Sequence, residues 1–323
     1  MATTYPDTVG WIGTGRMGLA LATRLLNAGC DLAVWNRTRS KAEPLAALGA
    51  TVVDSPAELA GRDIVITNVA SSDVFTEVIL GDGGLLSSGT QPPALIVDSS
   101  TISQEASERV RAEAGKVGTA LLAAPVSGNA KVVKSGRLSV VVSGPRQAYE
   151  RAAPYLALFG SSVTYVGEGD SARLVKICHN LILGVVTQVL AETTVLAERA
   201  GISRAAYLDF INGSIMGSTF TRYKAPSFVN LDFTPTFTGH LLRKDFELGL
   251  EAARQLDVPL PASAAVHQLV LHMIGSGAGD EDFGALLKQA AAGAGLSLEP
   301  EGTDVSDGLE PLDDLSTSSG ADS

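Results

Sequence analysis

Residues 9–166 alternate short apolar runs with helix-like stretches, and no other feature restricts the fold as much. The runs 9–12, 32–35, 64–67, 95–97 and 120–123 are largely apolar, as strands buried on both faces are. Between them, 17–28, 40–47, 72–80 and 103–114 carry apolar residues at helical spacing. Strand–helix–strand units with short connections are satisfied by a parallel, doubly wound sheet. Two more strands are predicted at 138–143 and 163–166, separated by a helix at 147–158.

Beyond Gly167 the pattern changes. Residues 172–200 hold no proline and a single glycine, Gly184, and most of their side chains are apolar. This predicts one long helix buried on more than one side, on the order of 40 Å at ~1.5 Å per residue. The stretches 204–212, 241–256, 262–276 and 283–292 are helical as well, and none alternates as a strand does. The expected chain is α/β followed by all-α. A doubly wound domain covers 1–166, and an all-helical domain covers 167–298, opening with the long interdomain helix. An acidic tail, 299–323, ends the chain.

That tail has eight acidic residues, no Lys or Arg and no aromatic, so it is predicted to be disordered and solvating. It carries most of the net charge of −11. Neither tail nor body offers the basic stripe that nucleic acid needs, so no nucleic-acid partner is expected. With 45% hydrophobic and 18% charged residues, the 323-residue chain is not disordered as a whole. Two cysteines, Cys30 and Cys178, cannot staple a fold of this length and are read as inert packing. No uninterrupted apolar run approaches the ~18–20 residues of a membrane span. Residues 1–8 carry no basic-then-apolar leader. A cytoplasmic protein without a membrane partner is expected.

Gly13-Thr14-Gly15-Arg16-Met17-Gly18 has the spacing G-x-G-x-x-G, after strand 9–12 and at the start of helix 17–28. In that context the first glycine makes a tight turn, the second lets the backbone approach a pyrophosphate, and the third lets helix and strand pack closely. The amides at the helix start then face the phosphates. A dinucleotide held by Gly13, Gly15, Arg16, Met17 and Gly18 is expected, and the first domain reads as Rossmann-like. The plain alternative is a turn that binds nothing. The second strand ends in Trp35-Asn36-Arg37-Thr38-Arg39-Ser40, with no acid to take a ribose 2′-OH. Arg37 and Thr38, with Asn36 beside them, suit a 2′-phosphate instead. NADP(H) is expected over NAD(H), unless Arg37 is merely a solvated loop residue.

Further motifs follow in order. Ala124-Pro125-Val126-Ser127-Gly128 is similar to a D-x-P-V-S-G-G substrate turn. Gly167-x-Gly169 followed by Lys176-x-x-x-Asn180 is similar to a catalytic G-x-G-x-x-x-K-x-x-N-N stretch. Lys244-Asp245-Phe246 is similar to K-D-L, and Gly279-Asp280-x-Asp282 also fits. With Met17 in the glycine motif, residues 8–295 resemble the β-hydroxyacid dehydrogenase family. That family includes 3-hydroxyisobutyrate dehydrogenases, tartronate semialdehyde reductases and glyoxylate/succinic semialdehyde reductases. The resemblance implies that Lys176 is the general acid/base, with Asn180 supporting it. It implies that Ser127, Gly128 and Asn129 anchor a substrate carboxylate. Asn68, Val69, Thr101 and Phe237 are implied to lie near the nicotinamide, and Lys244 near cofactor and substrate. A homodimer or homotetramer, a small carboxylate substrate and no metal are implied as well.

Physical chemistry supports the central pair independently. Lys176 and Asn180, four apart, share one helix face, and a lysine in so apolar a helix is costly to bury without a task. Poised at a carbonyl oxygen it can donate the proton that accompanies hydride delivery. The bland readings are a snorkelling Lys176, Thr101 as a helix cap, Phe237 as core and Lys244 as a surface lysine. Three departures bear on substrate: Ala123 replaces the family aspartate, Asn129 replaces a glycine and precedes Lys131 and Lys134, and His179 replaces the first asparagine of the pair. Asn129 and the lysines favour a more anionic or hydroxylated substrate. The expected function is an NADP-preferring oxidoreductase interconverting a small aldehyde- or keto-acid and a β-hydroxy acid. An imine reductase, which usually has Asp or Tyr in place of Lys176, and a non-catalytic dinucleotide-binding protein are the alternatives.

Overall fold

Val9, Trp11 and Ile12 are wholly buried, and the strand they form, β1 (Val9–Ile12), is central in the main sheet. A computed structural model describes residues 5–309 except Ser88 and Thr90. In chain order there follow α1 (Arg16–Asn27), β2 (Leu32–Trp35), α2 (Glu43–Ala46), β3 (Thr51–Val52), β4 (Ile64–Thr67), α3 (Ser72–Leu80), β5 (Leu95–Asp98), α4 (Gln104–Lys116) and β6 (Ala120–Ala123). Among the described residues the six strands run parallel in the order β3-β2-β1-β4-β5-β6. The order reverses direction between β1 and β4, the crevice where doubly wound sheets take their ligands. Helix α1 buries Gly18, Leu21, Ala22 and Leu25, one face at helical spacing.

The strands expected at 138–143 and 163–166 are not part of this sheet. β7 (Val126–Ser127), β8 (Ser139–Val142) and β9 (Ser162–Tyr165) form a second sheet, with β7 antiparallel to β8. Helices α5 (Ala130–Lys134) and α6 (Arg146–Leu156) accompany it. β3, β7 and α5 escape sequence reading because two to five residues are too few to show a period.

The helical part comprises α7 (Ser171–Arg199), α8 (Arg204–Gly213), α9 (Thr219–Asn230), α10 (Gly239–Gln255), α11 (Pro261–Met273) and α12 (Leu286–Gly293). α9 was not predicted, since Pro226 interrupts its pattern, yet a Ser218/Thr221 capping box starts it. The core of this unit gathers Leu190, Leu208, Phe228, Leu242, Phe246 and Phe283. Gly184, the weak spot of the long helix by sequence, has a packing reason: a Cβ there would lie 2.3 Å from the Phe246 ring of α10.

By packing, the chain divides into compact units between Lys176 and Ile177, within the long helix expected to open the second domain. The first turns of α7 belong to the first unit because Ala172 N–H donates to Ser143 Oγ and Arg173 pairs with Asp98 at 2.8 Å. α7 is buried over part of its circumference and exposed over the rest. Leu181, Leu190, Ala191 and Val195 enter the core, whereas Ile182, Val189 and Leu196 are exposed. By length and composition alone α7 could span a membrane, but 44% of that window is buried within the protein. One expectation needs correction: residues 299–309 of the tail are ordered on the helical unit. The Glu301 carboxylate accepts from the Arg204 and Ala205 N–H groups at the start of α8, and its own N–H donates to Val229. A carboxylate at a helix start is stabilised by the unpaired amides and the dipole there. The rest of the predicted tail, 310–323, lies outside the described residues.

Candidate active site

The glycine loop is built from contacts that leave no room for side chains. Gly13 has φ +99, and a Cβ on it would lie 2.3 Å from the Asn68 carbonyl oxygen. A Cβ on Gly18 would lie 2.0 Å from the Gly13 carbonyl oxygen. That same oxygen accepts the indole N–H of buried Trp11 at 2.7 Å. Gly15 differs, because nothing lies within 4 Å of its Cβ position. Gly15 is the N-cap of α1 and brings no side-chain cap to the amides behind it. Arg16 is exposed and Met17 half-buried at the helix start. Open backbone followed by helix-start amides fits the pyrophosphate of a dinucleotide.

The end of β2 is organised around Asn36. Its Oδ1 accepts Thr14 N–H at 2.9 Å and its Nδ2 donates to the Thr38 carbonyl at 2.9 Å. Asn36, expected to face the cofactor, thus ties the glycine loop through its oxygen to the loop after β2, which it holds through its nitrogen. Arg39 is engaged by Glu43 and Asp54. Arg37 is exposed and has no hydrogen-bond or ion-pair partner among the described residues. Thr38 is exposed beside it.

The ends of β4 and β5 are joined by a buried polar network. Asp98 Oδ1 accepts from Thr67 Oγ1 at 2.6 Å and from Ser100 N–H, and its Oδ2 meets Arg173. Asn68 Nδ2 donates to Ser99 Oγ at 3.1 Å, and Val69 N–H donates to Ser100 Oγ at 2.8 Å. Asn68 thus holds its neighbour strand, and Thr101 follows half-buried. Thr101 is not the cap of α4, since Ser103 is. Sequence reading missed Trp11, Asp98, Ser99, Ser100 and Arg173. Only a buried charge so near the expected lysine could have drawn attention to Arg173.

The turn predicted to hold a substrate is a strand followed by a short helix. Ser127 ends β7, half-buried, and Gly128 has φ +135. Asn129 Oδ1 accepts Lys131 N–H at 2.9 Å and Val132 N–H at 3.1 Å as the cap of α5. Its oxygen is committed to the helix, so toward a substrate Asn129 has only its Nδ2. Lys131 and Lys134 are exposed. Lys176 on α7 is buried, at 8% exposure.

In the second unit Asn180 is buried and its Nδ2 donates to buried Asp245, while Lys244 Nζ lies 3.3 Å from the other Asp245 oxygen. Asn180 Oδ1 lies 3.0 Å from His179 Nδ1. Phe237 is half-buried, edge-on to Phe283 at 5.7 Å. Its loop is held by Asp282, which accepts from Thr236 Oγ1 at 2.7 Å and forms an ion pair with buried Lys224. Burial pushes the Lys224 ammonium below its usual value against the pull of Asp282. Burial raises the Asp282 carboxyl, but the Lys224 charge and the hydrogen bonds bring it below the ordinary range. Lys224 was not anticipated. Cys178, expected to be packed, is exposed, whereas Cys30 is buried and its thiol is pushed up to about 11 by burial.

Comparison with known proteins gives two family profiles, one after the other along the chain. The family profile described as the NAD binding domain of 6-phosphogluconate dehydrogenase matches residues 8–167. That described as the NAD-binding part of NADP-dependent 3-hydroxyisobutyrate dehydrogenase matches 170–290. Glyoxylate/succinic semialdehyde reductase 2, chloroplastic, of Arabidopsis thaliana is 30% identical over 88% of this chain and 80% of its own. L-Threonate dehydrogenase of Cupriavidus necator is 33% identical over 87% of this chain and 95% of its own. The crystal structure of 3-hydroxyisobutyrate dehydrogenase from Salmonella typhimurium superposes with a TM-score of 0.79 at 28% identity, covering 88% and 99% of the two chains. A nicotinamide dinucleotide is the cofactor that such a glycine loop serves, and the chain belongs to the β-hydroxyacid dehydrogenase family of NAD(P)-dependent dehydrogenases and reductases.

Proposed function

We propose that the chain is an NADP-preferring reductase of small aldehyde- or keto-acids, running to the β-hydroxy acid or in reverse, with Lys176 as general acid/base. The observation that carries this is a buried lysine one helical turn before a buried asparagine on α7. A charged amine is kept out of water only at a cost, and a carbonyl oxygen gaining a proton is a task that repays it. When bound, the reduced dinucleotide supplies the hydride. Lys176 donates the proton to the carbonyl oxygen, and Asn180 steadies the same substrate. Ser127 Oγ and the amides around Gly128 suit a carboxylate. Phe237 and Lys244 are assigned to the reaction by the sequence resemblance alone.

Arg37, exposed beside Thr38 and without a hydrogen-bond or ion-pair partner among the described residues, supports the choice of a 2′-phosphate. The profile matching residues 170–290, named for an NADP-dependent enzyme, supports it as well. The name of the L-threonate dehydrogenase supports trying a hydroxylated acid, in line with Asn129 and Lys131. Exposed Ile182, Val189 and Leu196 on α7 support self-association of the chain, because contiguous apolar surface is seldom left in water.

The test is the initial rate of NADPH oxidation, with NADH in parallel, on glyoxylate, succinic semialdehyde, tartronate semialdehyde, methylmalonate semialdehyde and 1-pyrroline, with NADP-linked L-threonate oxidation beside it. Turnover of a carbonyl acid or of threonate is expected. Lys176→Ala should lower kcat by about 10²–10⁴ and leave NADPH binding in place. Turnover of the imine alone, or an undiminished Lys176→Ala, sinks the reading.

A further inference from the structure

We infer that Asp245 and His179 together fix the orientation of the Asn180 amide, so that Asn180 presents an N–H in a set direction to a substrate. The inference rests on the proposed function for its substrate, but the side-chain arrangement is a property of the protein itself. Asp245 is buried, with the Lys244 ammonium 3.3 Å from its Oδ1. An ionised carboxylate accepts hydrogen bonds and donates none. The end of the Asn180 amide that faces Asp245 must therefore be the Nδ2 end, as the structure has it. Its Oδ1 then points the other way, 3.0 Å from His179 Nδ1. Since a carbonyl oxygen cannot donate, His179 must carry its proton on Nδ1.

The order of constraint is thus Asp245, then Asn180, then His179. A free imidazole favours the proton on Nε2, so the Nδ1–H form is a signature of this arrangement. The consequence for recognition is specific. With Oδ1 accepting from His179 and one Nδ2–H taken by Asp245, the second Nδ2–H is the donor that Asn180 has left. It complements an acceptor oxygen, such as a carbonyl or a carboxylate. His179, which departs from the family pair of asparagines, is therefore a positioning residue for Asn180.

The tautomer is read directly by long-range ¹H–¹⁵N correlation of the full-length protein labelled at histidine, above the pH at which the ring titrates. His179 is assigned by the resonance lost in His179→Asn. Nδ1–H is expected in the native protein, with a shift toward Nε2–H in Asp245→Asn, where the amide is free to turn. Nε2–H in the native protein, or a tautomer indifferent to Asp245→Asn, overturns the inference whether or not a substrate has been found. On a substrate that turns over, His179→Leu should raise KM about three- to tenfold, the value of one hydrogen bond, with a smaller change in kcat. His179→Asn, which restores a donor, should return KM most of the way. An unchanged KM in His179→Leu also overturns it. Failure of the whole substrate panel would sink the proposed function and leave the tautomer result standing.

Discussion

In the glycine loop the groups that matter are backbone amides and carbonyls, shaped by which positions cannot hold a side chain. In the helical unit they are charged or amide side chains, buried and matched to partners far along the chain. Gly13 and Gly18 are forced by contacts with residues in the same turn or the neighbouring strand end. Lys224 meets Asp282, 58 positions away, and Asn180 meets Asp245, 65 positions away. The first kind of site tolerates almost no added atom. The second tolerates shape but no loss of charge balance. The steric requirement is thus visible in a motif even where its partner, as Asn68 is for Gly13, lies far along the chain, whereas the electrostatic match is visible only once the chain has folded.

The sharpest way to break the steric half is Gly18→Val. The new Cβ would fall 2.0 Å from the Gly13 carbonyl oxygen, so the loop must open. NADPH affinity should fall by at least about 100-fold, some 2.8 kcal/mol, measured by fluorescence titration. Gly15→Ala, with nothing within 4 Å of its Cβ, should keep the fold and lose affinity only through crowding of the phosphates. Equal unfolding midpoints for Gly18→Val and Gly15→Ala would refute the difference.

The matching experiment in the helical unit is Lys224→Met. It leaves Asp282 buried without its counter-charge, a loss of about 3–5 kcal/mol for such pairs. Adding Asp282→Asn should recover part of that loss, and a double variant no more stable than the single one would show that packing, not charge, decides. Glu301→Gln is the next step down. The single amide oxygen can accept from only one of the Arg204 and Ala205 N–H groups, which the carboxylate serves with separate oxygens, and the charge at the start of α8 is lost as well. About 1–2 kcal/mol is expected, as a shift in the denaturation midpoint of the helical unit. The smallest effect belongs to Asp63. Thr8 donates to its carboxylate through both hydroxyl and N–H and, with Arg151, holds its carboxyl below the ordinary value. The resulting stability is present above about pH 4 and is lost as pH falls through the lower folded value. At this exposed position solvent screening limits it to tenths of a kcal/mol. Asp63→Asn should flatten the acid limb of the stability curve by that amount.

The same contrast explains what could be read in advance. The β1–loop–α1 unit was legible because G-x-G-x-x-G sits between an apolar strand and an amphipathic helix, all within twenty residues. Lys176 and Asn180 were legible because helical spacing places them together. The brace made by Asn36 was not, because an asparagine after a strand is as readily a ligand as a crossbeam, and only the Thr14 and Thr38 contacts decide. Asn129 was read as a substrate group for the same reason, and its oxygen turned out to cap α5. The tail misled because its composition is that of a solvated segment, while one residue in it, Glu301, has a helix start waiting for it.

That helix start gives the chain an order of events. Arg204 is wholly enclosed, and its partners include Glu198, just before it, and Glu301, 97 positions after it. At synthesis rates of about 5–20 residues per second, the second partner is made ~5–20 s after the first. During that interval α8 and its arginine are exposed and incomplete, so the helical unit matures only when its last ordered segment has arrived. A chain cut or fused immediately after α12 would be held at that immature stage.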